Sequence, residues 1–224
     1  MLFISSLAVH GQTTNVIGTV DQQTIETAEV KREMLRSQAA VMNIFIKTHQ
    51  LTDLKNFWKK DFNGISPIDE LRKTALENLV KIKVQESLFK NNDLWPYFNH
   101  QALIDDMTAV NNIRKKMVED GKVIYGPIVF SDLTFFDYQF SNAIIKTKDK
   151  LKKTLFNVSD STLLLHLDKM KKGVFANNKE SFEELKSRIE TSYIDEKYQE
   201  LVAAKITAAK VKINHSLLKE IHLY

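Results

Sequence analysis

Six glycines and three prolines are all that 224 residues contain, and this scarcity of turn-formers constrains the fold more than any other feature. Average usage is about 7% Gly and 5% Pro. A chain with so few residues suited to positive φ or to breaking a helix must build long helices joined by few loops. The hydrophobic fraction of 43% and charged fraction of 27% are those of a globular protein. The length suffices for one sizeable core, with room for a protruding lobe. The expected fold class is mainly α: six to seven helices with short strands near the two ends.

Read along the chain, Val16 to Val20 forms a strand and Asp21 to Thr24 a polar turn, with a second short extended piece before Thr27, which caps a helix to about residue 50. Leu54, Phe57, Trp58 and Phe62 follow in a short aromatic segment. Ser66-Pro67 then marks a strong helix start, its hydroxyl able to accept an orphan amide and Asp69 and Glu70 lying at the positive end of the dipole. Ile68, Leu71, Ala75, Leu79, Ile82 and Phe89 give that helix one apolar seam to about residue 91. Leu103, Met107, Val110, Ile113 and Met117 mark the next, which Gly121 ends. VIYGPIVF reads as an extended connector. Ser131, Ser159 and Ser181 open three further helices, and the polar joint FANNKES separates the last two. KVKIN alternates as a strand before Asn214 caps a final turn. Two isolated strands are rarely stable, so Val16 to Val20 and Val211 to Ile213 are expected to pair with each other or with the 24–26 segment.

Several function classes lack their signatures. The net charge of +4 arises from 32 basic and 28 acidic residues mixed along the chain, too small an excess to imply a nucleic-acid partner. In the densest basic run, KTKDKLKKTLF, Lys146, Lys150 and Lys153 share a helix face expected to meet water. There are no cysteines, hence no disulfide, Cys-ligated zinc or thiol nucleophile. The six histidines show no i, i+4 pair. No phosphate loop, serine elbow or calcium loop is present, so neither catalysis nor a cofactor is expected. No stretch approaches the length of a membrane span. Leu2 to Val9 is a short apolar run, followed by Val9-His10-Gly11, which suits signal-peptidase cleavage. Two readings compete for residues 1–14: a secretory signal lacking its basic start, or an apolar tail. The first is preferred, which places the mature protein in the periplasm or outside the cell.

Aromatic residues cluster at Phe57, Trp58 and Phe62, at Trp95, Tyr97 and Phe98, and from Phe130 to Phe140. Core packing accounts for such clusters as a rule. Open apolar surfaces for varied unfolded partners are also rich in aromatic residues and Met.

VIGTVDQQTIETAEVKREM, FWKKDFNGISPIDELRKTALENLVKIKVQESL, IYGPIVFSDLTFFDYQFSNAIIKTKDKL and YQELVAAKITAAKVKINHSLLKEI, in that order, resemble the chaperone module of the SurA and PrsA-like foldases, bacterial proteins outside the cytoplasm. The resemblance spans about residues 15–224 and implies a single helical domain, its 15–172 part closed by residues 180–224. In that family parvulin prolyl-isomerase domains are inserted between the two parts. Here only FANNKES lies between them, and the chain contains no Gly-Gly, so the resemblance carries the holding module without the isomerase. It implies an ATP-independent protein that binds unfolded or partly folded proteins in an apolar cradle between helices. Phe57, Trp58, Phe62, Trp95, Phe135 and Phe136 are the candidate contacts. A dedicated assembly or interaction subunit, its partner a neighbouring protein or a second copy of itself, is the alternative; a prolyl isomerase working through an unrecognised site is a weaker third.

Overall fold

The helices begin where side chains can satisfy their first amides. The computed structural model of the protein describes residues 16–172 and 180–223. Within them lie α1 (Thr27–His49), α2 (Pro67–Lys90), α3 (His100–Glu119), α4 (Asp132–Thr154), α5 (Asp160–Lys171), α6 (Phe182–Ala208) and α7 (His215–Lys219). Ser131, Ser159 and Ser181 each accept the amide three residues on, and Asn99 and Asn214 do the same for α3 and α7. Gly121, at φ 70°, ends α3 in a left-handed turn.

Two helix starts depart from expectation. Glu26, not Thr27, holds the cap position of α1, and its amide donates to Glu29 Oε2 at 2.9 Å. The preceding strand runs up to Glu26, so the change to helical backbone falls one residue earlier than the hydroxyl suggests. Ser66 does stand before α2, but its hydroxyl accepts no amide. Its carbonyl accepts those of Asp69 and Glu70 instead, at 3.1 and 3.0 Å, and Pro67 has no N–H to satisfy.

Three strands, β1 (Val16–Val20), β2 (Gln23–Glu26) and β3 (Val211–Ile213), form an antiparallel sheet in the order β2-β1-β3. The sequence offers β1 two partners, and it takes both. Val20 lies opposite Gln23 on one side and Val211 on the other. At Gly18 the backbones approach so closely that a Cβ would stand 2.2 Å from the Lys212 carbonyl oxygen and 2.7 Å from Ile213 Cδ1. Gly18→Ala is therefore expected to destabilise the fold by about 1–3 kcal/mol, the usual cost of overpacking. A urea titration reads this as a lower midpoint, and an unchanged midpoint would mean that the strands part freely.

One core joins the sheet to α1, α2, α4, the second half of α6 and α7, with Ile17, Met34, Leu79, Phe89, Tyr198 and Leu218 among its members. A smaller cluster, Leu163, Leu167, Leu185 and Ile189, holds α5 against the first half of α6. That hairpin therefore carries an apolar centre of its own. The apolar run of residues 2–9, and residues 173–179 with most of the FANNKES joint, lie outside the described residues.

The seam between α1 and α2 is not wholly apolar. Glu29, Glu33 and Ser37 recur at intervals of four on α1 and are all buried. Lys83 Nζ, from α2, donates to Glu29 Oε1 at 2.6 Å and to Glu86 Oε2 at 3.2 Å, and none of these three side chains is more than 7% exposed. Arg32 Nε approaches Glu33 Oε1 at 3.4 Å, and Arg36 Nε donates to Glu33 Oε2 at 2.9 Å. Burial pushes the Glu86 carboxyl up despite the pull of Lys83. For Lys83 burial acts downward, but its two carboxylate partners outweigh it and the net shift is upward.

Candidate functional site

The segment between α1 and α2 is a folded loop. Gln50, at φ 51°, ends α1; Asn56, at φ 56°, starts the 3-10 turn Phe57–Lys59; and Asn63 and Gly64, at φ 57° and 85°, reverse the chain. Asn tolerates this left-handed conformation better than other side chains. Phe62 and Ile65 close the reversal by exchanging backbone hydrogen bonds of 3.0 and 3.2 Å. The rings then fold back on the end of α1. Phe57 lies 5.8 Å from Phe45 in an edge-on contact and 4.8 Å from Trp58, and Phe62 lies 5.4 Å from Phe45 and 4.8 Å from His49.

Two hollows flank this loop. The larger, about 510 Å³, is walled chiefly by Met42, Leu54, Phe57, Trp58, Ile68 and Leu223. The smaller, about 220 Å³, is formed by Val41, Ile44, Phe45, His49, Ile65 and Thr74 with neighbouring residues. Leu54, Ile65 and Ile44 are exposed on the rims. Lys60 Nζ donates to the Asp53 carbonyl at 3.2 Å beside them, so charge borders the apolar surface.

The six aromatic candidates do not share one cradle. Phe57 belongs to the larger hollow but is 2% exposed, so it forms the floor rather than an offered surface. Trp58 and Phe62 are half-buried and pack against the core. Trp95, Phe135 and Phe136 are core residues, at 8%, 1% and 2% exposure. Phe136 lies against Phe140 at 5.1 Å and Trp95 at 6.0 Å, under the Arg32 guanidinium at 3.6 Å; Phe135 packs on Phe130 at 5.6 Å. Their rings follow the packing account of aromatic clusters. The sequence did not single out Met42, Leu54, Ile68 or Leu223 as groove residues. Leu54 and Ile68 do flank the aromatic run, which is a usable signal, whereas nothing local marks Leu223.

A second apolar surface lies along α3 and the connector that follows. Ile113, Val123, Tyr125, Ile128 and Val129 are at least half exposed, Tyr125 at 90%. The connector is held through its backbone: Arg114 donates to the Tyr125 and Pro127 carbonyls at 2.5 and 2.8 Å, and Asn111 exchanges two hydrogen bonds with Phe130 at 2.9 and 2.7 Å. The side chains of Val123, Tyr125, Ile128 and Val129 are thereby left facing solvent, while Phe130 is buried.

No helix among the described residues is long and apolar enough to cross a membrane. No family model matches the chain, and no curated protein or solved structure matches it.

Proposed function

We propose that the protein is a chaperone-like holding module that binds unfolded or partly folded protein segments without nucleotide and without covalent chemistry. The observation that carries this reading is the open apolar groove of about 510 Å³ beside the aromatic loop, walled by Met42, Leu54, Trp58, Ile68 and Leu223. Its volume suits a few apolar side chains of an extended segment. Burying them gains roughly 25 cal/mol per Å² of apolar area, against the entropy that a disordered segment loses on binding. The expected affinity is accordingly modest. Met42 and the aromatic walls can adapt to different side chains, and the charged rim keeps a loaded complex soluble. The resemblance to the foldase module and the apolar run at residues 2–9 support a role outside the cytoplasm.

Light scattering of a chemically unfolded client tests the reading. Excess protein is expected to suppress aggregation, and Leu54→Asp, an exposed wall residue, should require several-fold more protein for the same effect. Unchanged aggregation with the natural protein in excess would overturn the proposal.

The surface of Val123, Tyr125, Ile128 and Val129 favours a second reading, an assembly subunit with one dedicated partner. Saturable capture of a single folded partner, lost in Tyr125→Ser and kept in Leu54→Asp, would select it.

A further inference from the structure

A second cavity, separate from the aromatic groove, lies where α1 and α2 meet the loop before α3. Its volume is about 20 Å³, against roughly 10–15 Å³ for one water. Trp95, Tyr97 and Phe136 wall it, and Phe98, 79% exposed, stands at its edge. Arg32, Lys83 and Lys90 bring cationic groups to it, His100 an imidazole, and Glu29 and Glu86 carboxylates.

The hydrogen bonds divide these groups unevenly. Both Glu29 oxygens are engaged, Oε1 by Lys83 Nζ and Oε2 by the Glu26 amide, and Glu86 Oε2 also accepts from Lys83. His100 Nε2 lies 3.0 Å from Asp132 Oδ2. Arg32, its side chain 2% exposed, turns Nε to Glu33 and has Nη1 3.7 Å from Asp132, while the buried Nη2 has no acceptor. A guanidinium N–H buried without a partner is costly, and such groups are normally satisfied. Lys90 Nζ gives a hydrogen bond of 2.9 Å to Gln23 Oε1, a neutral acceptor. Burial and the neighbouring Lys83 both act to lower the proton affinity of Lys90, more than the two glutamates restore it.

We infer that this cavity is a binding site for a single carboxylate group, one oxygen accepting from Arg32 Nη2 and the other from Lys90 Nζ. One carboxylate oxygen fills the small space beside the planar guanidinium, with the rest of the group in the cavity's open mouth. A neutral carbonyl would bring no charge to the unpartnered guanidinium N–H, and a dianionic phosphate would be repelled by Glu29 and Glu86 more strongly than a monoanion. The carboxylate can be a peptide's free C-terminus or an Asp or Glu side chain, with the adjoining atoms lying on the Phe98 ring. The inference is independent of the holding function proposed for the aromatic groove.

Trp58 and Trp95 are the two tryptophans of the chain, so their indole N–H signals in the ¹⁵N-labelled full chain report on the two cavities separately. Sodium acetate and acetyl-trialanine with a free terminus are the probes. Sodium chloride at equal ionic strength and the amidated tripeptide are the controls, and acetyl-Ala-Glu-Ala-amide tests the side-chain source. A saturable shift of Trp95, with Trp58 still and both controls silent, supports the site, and the tighter of the two carboxylate peptides identifies the source. Lys90→Gln, at a half-buried position, should fold and bind about tenfold more weakly, as for the loss of one charge-assisted hydrogen bond. The inference is overturned if no carboxylate probe saturates, if the amide or chloride moves Trp95 equally, or if Lys90→Gln binds as tightly as the natural protein.

Discussion

Lys83→Met is expected to lower the free energy of unfolding by about 3–5 kcal/mol, the usual cost of removing one partner from a buried ionic group. The substitution nearly preserves volume, so the loss would not come from a cavity. It would come from Glu29 and Glu86, which Lys83 joins at 2.6 and 3.2 Å inside the α1–α2 seam and which would be left buried without their cation. Taking the whole triad to apolar residues of similar size, Glu29→Met with Lys83→Met and Glu86→Leu, should recover most of the loss, since a buried ionic group is often replaceable as a unit. Urea titrations of the natural protein and the two variants measure both effects. A single variant as stable as the natural protein would mean that the carboxylates find other partners or take up protons at no cost. The upward push of burial on Glu86 makes proton uptake its first response, so the loss should shrink as the pH falls toward the carboxylate range.

Phe136→Ala should cost about 3–5 kcal/mol, the range for emptying a buried aromatic position. The ring is 2% exposed and carries Arg32 on one face, with Trp95 and Phe140 around it. Its removal would open a cavity beneath a charged group, a less forgiving place than an all-apolar site. The same titration on Leu54→Asp should stay within about 0.5 kcal/mol, as for an exposed side chain. This contrast matters to the functional reading: a holding defect in Phe136→Ala would report lost structure, whereas one in Leu54→Asp would report lost contact. Equal stability of Phe136→Ala and the natural protein would remove the ring from the core.

Much of the architecture was legible because helix ends are written locally. Ser131, Ser159, Ser181 and Asn214 each need only a neighbour three residues away, and each caps the helix that its spacing announces. Pro67 likewise fixes the start of α2 without distant help. The directions in which side chains face were less legible, because they depend on what packs against them. Ile44 is an apolar residue of α1 but is 62% exposed, whereas Glu33, a charged residue on the same helix, is fully buried. The seam accepts Glu33 because two arginines on α1 reach it and Glu29 because Lys83 comes across from α2, a pairing over 54 residues that no local pattern encodes. On α3, Met107, Val110 and Ile113 repeat like a core face, yet α3 buries only Leu103 and Asn111. The aromatic candidates divide in the same way. Phe57 and Trp58 are adjacent in sequence, and a single 3-10 turn sends the first into the core while leaving the second half-buried.

The placement of β3 beside β1 has a consequence for how the molecule is made. The Asn214 amide donates to the Ile17 carbonyl, the Lys210 amide to Asp21 across 189 residues, and Arg72 Nε to the Ile221 carbonyl across 149. During synthesis the α1–α2 pair can assemble while the ribosome is still at work, since its contacts are nearer in sequence. The outer edge of β1 and the Arg72 guanidinium must wait for residues 210–221 to emerge, and contacts of such long range form slowly. The nascent protein therefore passes a period with an open strand edge and an incomplete core, in which it presents the same kind of surface that a holding protein would bind in others.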